Sequence, residues 1–185
     1  MRYFLGFLIA IGLLALVIIL VVKNLGSNNT TGPQPKPLSS YANTEAIAGI
    51  LVNGPIVSDQ NHQEIQISIS QVSSQISIIN GYQGTVVNTK IYANNLSAYS
   101  AFLSALQGLG FASGNTSYKY KTPAGFCPYG DTYTYSLTNG NDTILNYWAT
   151  SCGKQGNFNG VVASVNQLFA LQIPDYSEII STTSF

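Results

Sequence analysis

Between residues 64 and 78 apolar and polar positions alternate: Ile65, Ile67 and Ile69 are separated by Gln66 and Ser68, and Ile76 and Ile78 resume the pattern after "QVSSQ". A period of two belongs to a strand with one buried face. The interruption predicts a bulge or kink between two halves of that strand. "NGYQG" (80–84) marks a turn, and residues 85–92 read as the returning strand. The period then changes. In "NNLSAYSAFLSALQGLGF" the apolar positions Tyr99, Phe102, Leu103, Leu106 and Leu109 fall at helical spacing. Asn94 or Asn95 caps the start, and Gly110 suits the left-handed position past the end. "SYKYK" (117–121) alternates tyrosine with lysine, as an exposed or edge strand does. A second helical stripe runs through Val161, Val165, Leu168, Phe169 and Gln172, limited by Pro174. "AIAGILV" (46–52), ahead of Asn53-Gly54-Pro55, is a short buried strand or a helix start, because so short a run has no decisive period.

The stretch "CPYGDTYTYSLTNGNDTILNYWATSC" holds both cysteines of the chain, one at each end. Asn-Gly between alternating residues is a strong hairpin signal, since a type I′ turn needs positive φ at both central positions. A two-residue loop at Asn139-Gly140 puts Tyr135 opposite Ile144, Tyr133 opposite Asn146 and Cys127 opposite Cys152. The cysteines then fall in the closer class of cross-strand pair, at a separation compatible with a disulfide. On this register Tyr129, Tyr133, Tyr135, Leu137, Ile144 and Trp148 share the core face. Thr132, Thr134, Ser136, Thr143, Leu145 and Tyr147 share the other.

The order after the amino-terminal segment is hairpin, helix, hairpin, helix. The expected fold class is α+β: an N-terminal transmembrane helix, then two antiparallel β-hairpins with two amphipathic helices packed on one face of the sheet. The expected core is Ile65, Ile67, Ile76, Ile78, Phe102, Leu106, Tyr133, Tyr135, Trp148, Val165 and Phe169.

Residues 4–22, "FLGFLIAIGLLALVIILVV", are 19 uncharged residues, long enough as a helix to span a hydrocarbon core. The run exceeds a cleaved signal's apolar region and lacks an Ala-x-Ala site, so residues 1–23 read as a signal anchor in the lipid bilayer. Residues 24–40, "NLGSNNTTGPQPKPLSS", have a linker's composition, leaving 41–185 as one extracytoplasmic domain. Arg2 plus the amino terminus on one side barely outweigh Lys23 on the other for orientation. The disulfide decides it: such bonds persist in oxidising compartments, which puts the amino terminus in the cytoplasm and the domain outside the cell membrane.

Residues 41–185 carry four lysines against seven acids, a net charge of −3, which excludes an electrostatic footprint for nucleic acid. His62, the only histidine, stands in "SDQNHQE" beside Asp59 and Glu64, with no nucleophile or second base assignable from spacing. No phosphate loop, zinc helix or Gly-x-Ser-x-Gly elbow occurs, and Asp59 and Asn61 fall short of a calcium loop. Catalytic residues, metals and cofactors are therefore expected to be none. Tyrosine is favoured at recognition surfaces. The alternation points Tyr118, Tyr120 and Tyr147 away from the proposed core, which makes them the candidate partner-binding residues. Asn28, Asn29, Asn95, Asn115 and Asn141 begin Asn-x-Ser/Thr sequons.

Through "NGPIVSDQNHQEIQISIS", "NGYQGTVVNTKIYANNLSAYSAFLSALQGLGF", "CPYGDTYTYSL", "WATSCGKQGNFNG" and "LFALQIPDY", residues 41–176 resemble uncharacterised membrane-anchored ectodomain proteins of candidate-phyla-radiation bacteria. That resemblance implies an exported single-domain protein and brings no catalytic residue. The order of elements around "FLSALQGLGF" and "DTYTYSLTNGND" is also similar to emfourin-type metalloprotease inhibitors, from which this chain departs by its anchor, its disulfide and its added first segment. The expected function is a non-enzymatic, membrane-anchored binding or cell-surface module meeting a protein or glycan partner outside the cell. A tethered protease inhibitor is the alternative. A pilin-like envelope subunit is a further one, although the amino-terminal helix lacks the usual glutamate and a proline linker follows it.

Overall fold

The structure is a computed structural model that describes residues 36–181 and 183. The expected anchor at 4–22 lies outside the described residues. No helix among those described is long and apolar enough to cross a membrane.

A six-stranded antiparallel sheet forms the body, in the order β4-β3-β2-β1-β5-β6. Its strands are β1 (Ala46–Asn53), β2 (Gln63–Ile69), β3 (Ser73–Asn80), β4 (Thr85–Ala93), β5 (Thr132–Asn139) and β6 (Asp142–Thr150). The helices are α1 (Leu96–Gly108), α2 (Val162–Ala170) and α3 (Tyr176–Ser181). The architecture is α+β, but the sheet is larger than two hairpins. "AIAGILV" is a strand and sits in the middle, with Ile50 paired to Ile67 of β2 on one side and Tyr135 of β5 on the other.

The interruption at "QVSSQ" is a reversal of direction rather than a bulge. Ser70 receives the Ser73 N–H at its hydroxyl (3.1 Å) and donates its own N–H to the Ser73 carbonyl (2.8 Å), so the chain turns and β3 returns along β2. Ile67 then pairs with Ile76 and Ile65 with Ile78. Cross-strand partners point to the same face, and the isoleucines accordingly move from odd to even positions across the turn.

The hairpin β5–β6 is present with a different register. Its connection is Gly140-Asn141, closed by Asn139 and Asp142, and the register shifts again between Leu137 and Thr138. Ile144 is skipped, so Leu137 meets Leu145, Tyr135 meets Tyr147 and Tyr133 meets Ala149. Tyr147 stands where Ile144 was expected, an odd displacement of three positions, and an odd slip exchanges the faces of a strand. Leu145 and Tyr147 therefore join the core side, while Ile144 and Trp148 face the opposite way.

The helices cover one face. Asn95 caps α1 by accepting the Ala98 N–H at its side chain (3.0 Å), and Gly110 takes a left-handed conformation (φ 78°) past the end. The α1 stripe buries Tyr99, Phe102, Leu103 and Leu106, and α2 buries Val165 and Phe169. Phe102 meets Phe169 edge to face, with centroids 5.2 Å apart. Tyr99 and Tyr135 are buried to the hydroxyl, and each hydroxyl has an acceptor: the Ala46 carbonyl at 2.8 Å and Asn166 Oδ1 at 2.6 Å. The compact unit begins at Pro37, earlier than the expected boundary at 41. The single turn Leu38–Tyr41 buries Leu38 and donates the Leu38 N–H to Gln107 Oε1 (2.7 Å). The expected core residues are buried apart from Tyr133, which is half-buried, and Trp148, which is buried on the other side of the sheet.

Candidate functional site

The face away from the helices is polar and open. Register places Leu51, Gln66, Ser68, Gln75, Ser136 and Asn146 on it, half-buried or exposed. At the β5–β6 end an aromatic loop covers it. "SYKYK" is not a strand: residues 117–121 belong to the long connection between α1 and β5. That connection folds onto Trp148, which is 1% exposed. The indole meets Tyr118 and Phe126 at centroid distances of 6.0 and 5.0 Å, and its Nε1–H donates to the Tyr120 carbonyl (3.1 Å). Tyr120 packs on Phe126 at 5.0 Å and remains 44% exposed, with Lys119 Nζ 5.3 Å above its ring. Lys121 Nζ donates to the Thr116 carbonyl.

Covalent and backbone contacts hold this loop at both ends. At one end Asn115 N–H donates to the Asn157 carbonyl (2.7 Å), while Asn157 Oδ1 accepts from the Trp148 N–H (2.7 Å). At the other, Phe126 leads into Cys127, which is bonded to Cys152 with Cα atoms 5.5 Å apart. Both cysteines lie beyond the strand ends, so the bridge closes the base of the hairpin from its flanking loops and is not a cross-strand pair. Beside it a cleft of about 280 Å³ is lined by Asn53, Tyr82, Phe126 and Thr132, among others.

The three expected tyrosines part company. Tyr118 and Tyr120 sit together on the loop, 6.0 Å apart. Tyr147 faces the core side, half-buried under the backbone of Gly114, where an added Cβ would lie 2.2 Å from its ring. Its placement follows from the skipped Ile144. Tyr129, expected in the core, is 94% exposed in the loop near the disulfide.

His62 is 1% exposed and stacks on Tyr82, with centroids 3.9 Å apart and planes 12° from parallel. Its Nε2 lies 3.4 Å from Glu64 Oε1, which also accepts from Asn53 Nδ2 (2.7 Å), and its Nδ1 has no partner. Asp59 does not complete this group; its Oδ1 accepts the Tyr82 N–H (2.8 Å) and shapes the turn that carries the ring. The imidazole is thus enclosed beneath the tyrosine ring with Glu64 at its Nε2. Among the described residues no cluster of three or more His, Cys, Asp or Glu side chains could hold a metal.

A further polar group, not singled out by the sequence patterns, lies on the helix-covered side. Asp131, held next to the disulfide by its N–H to Ser151 Oγ (2.8 Å) and its carbonyl to the Ser151 N–H (2.9 Å), accepts from the Tyr133 hydroxyl (3.4 Å). Burial raises the Asp131 carboxyl above its ordinary value, against the opposing Tyr133 bond. Burial, then the Asp131 charge, pushes the Tyr133 hydroxyl up to about 12, and the same two causes raise Tyr176. The signal was an acid in "GDTYTY" two residues before a strand tyrosine, but nothing in spacing tells which face an acid at a strand's start will meet.

Comparison with known proteins brings no match: no family model, curated protein or solved structure is similar to the chain.

Proposed function

We propose that the chain is a non-enzymatic binding module, tethered to the bilayer through residues 4–22 with its folded unit outside the cell, and that the loop carrying Tyr118, Lys119, Tyr120 and Lys121 is its contact surface. The observation that carries this reading is an aromatic and basic loop held rigidly, by Trp148 beneath it and the disulfide beside it, at the edge of an open polar sheet face. Tyrosine and aromatic clusters contribute large contact area at low conformational cost, and a loop already ordered loses little entropy on binding. Two of the four lysines of residues 41–185 lie here, against an otherwise acidic unit. Partners of protein or glycan chemistry suit this surface, the open face adding Ser, Thr, Asn and Gln hydrogen-bonding groups.

The test is crosslinking on intact cells with the tagged full chain, compared with a Lys119→Ala/Tyr120→Ala double variant. The expected result is capture of an envelope or neighbouring-surface component that the double variant loses while its thermal stability stays close to wild type. Periodate treatment of the cells abolishes capture of a glycan and leaves a protein partner. Undiminished capture by the double variant refutes the loop as the contact. Recovery of a protease, with dose-dependent inhibition by the purified protein, would instead support a tethered inhibitor.

A further inference from the structure

On the helix-covered side, a cleft of about 180 Å³ lies between the middle of the sheet and α3. Its floor is aliphatic: Ile50 and Val52 of β1, Ile65 and Ile67 of β2, and Ile180 of α3. Its polar rim is concentrated in Asp131 just before β5, Tyr133 from the start of β5, Tyr176 from the start of α3 and Asn166 from α2. Two properties of this arrangement stand out. The space is comparable with a cavity of about 150 Å³ that takes up benzene, so one ring or a short branched chain fits it. The only charged side chain on the rim is a carboxylate, and the described ion pairs of the folded unit, His62–Glu64 and Lys90–Asp175, leave it without a cation.

We infer that this cleft is a binding site for a small apolar ligand bearing a primary ammonium group, its hydrocarbon among the isoleucines and its nitrogen against Asp131. A half-buried carboxylate has lost part of its hydration, and a cation restores what the protein does not supply. Tyr133 donates to Asp131 Oδ2, and Asp131 lines the cleft. Tyr133 and Tyr176 line the cleft together with Asp131, and aromatic faces attract cations. Asn166 is already oriented, because its Oδ1 accepts from the buried Tyr135 hydroxyl at 2.6 Å. An anionic ligand would meet the Asp131 charge, and a neutral one would leave it unpaired. Beside the disulfide the Asp131 backbone is held by two bonds to Ser151, its N–H to the hydroxyl and its carbonyl to the N–H, so the residue is positioned before any ligand arrives. It lies on the side of the sheet opposite the aromatic loop, and its occupancy is independent of the function proposed above.

The experiment uses the full chain in a neutral detergent, labelled at isoleucine methyl groups, and titrates benzylammonium chloride at neutral pH and constant ionic strength. Benzyl alcohol, its neutral isostere, is titrated in parallel. The expected result is saturable shifts at Ile50, Ile65, Ile67 and Ile180 with a dissociation constant of about 0.1–1 mM. Benzyl alcohol binds about tenfold or more weakly, and Asp131→Asn costs benzylammonium a similar factor while leaving benzyl alcohol unchanged. Ile180→Trp, which fills the cleft and keeps the carboxylate, removes both. Absence of saturable shifts in the millimolar range, shifts away from these four methyl groups, or equal affinity of wild type and Asp131→Asn for benzylammonium would each overturn the assignment.

Discussion

The residue that shows most clearly what tertiary structure does to chemistry is Asp131. In the sequence it is an ordinary acid in a turn-rich stretch; in the fold it stands half-buried between two tyrosines. Burial raises its carboxyl above the usual value, so the folded state keeps that proton to a higher pH than the unfolded chain does. Between the two values the folded chain binds more protons, and stability falls as pH rises through that window. The cost of the charged form is then fully present at neutral pH. Asp131→Asn, which keeps the shape and an acceptor for Tyr133, is expected to melt higher than wild type at pH 7, with the gain shrinking as pH falls from the raised folded value towards the ordinary one of about 4 and lost below it. Calorimetry across that range checks it, and a difference that does not change with pH would contradict the burial argument. His62 shows the complementary case: the neighbours Asp59 and Glu64 were visible along the chain, but the stacking on Tyr82 comes from a turn some twenty residues away.

Elements were legible where a period or a cap signalled them. The α1 stripe and its Asn95 cap match the sequence reading closely, because helical spacing and capping are local. The strand alternations were equally plain, and what they lacked was partners. The bond between Cys127 and Cys152 was expected and is present, for a reason only partly foreseen: the hairpin does bring the two loops together, but its register slips by an odd number of positions and the sulfurs meet beyond the strands. A closed loop of this length contributes about 3 kcal/mol by restricting the unfolded chain. Replacing both cysteines with serine is expected to lower the unfolding free energy by about that amount in denaturant titrations. It should also loosen the Ser151–Asp131 contacts, seen as faster amide exchange at Asp131 and Ser151. A change below about 1 kcal/mol would mean that the hairpin and the Trp148 cluster already order the loops.

At the scale of the molecule, β1 joins the two hairpin systems into one sheet. It buries Ala46, Ala48 and Ile50 on the helix side. One face of the sheet is closed by α1 and α2, and the other, covered by the aromatic loop at Trp148, is exposed at Gln66 and Asn146. This division produces two separate surfaces, the tyrosine and lysine loop on one side and the Asp131 cleft on the other. The proposed address makes a prediction for the whole chain: protease added to intact cells should release a fragment containing the folded unit, and thiol labelling of the native protein without reductant should modify neither cysteine. A protected folded unit would place it on the inner side of the membrane and remove the proposed extracellular partner.

Neighbours along the chain set the period-two and helical stretches, the Asn95 cap, the reversal at "NGYQG", the aliphatic and aromatic core positions on β2, β3, α1 and α2, and the pairing of the only two cysteines. Tertiary structure alone decided which strands lie side by side and which face each residue of β6 presents. The physical reason is that strand pairing is non-local and side-chain direction has period two, so the one skipped residue at Ile144 helps send Tyr147 inward and Trp148 outward. The same non-locality placed Asp131 beside Tyr133, Tyr176 and an aliphatic cleft, a juxtaposition drawn from four elements and written in none of them alone.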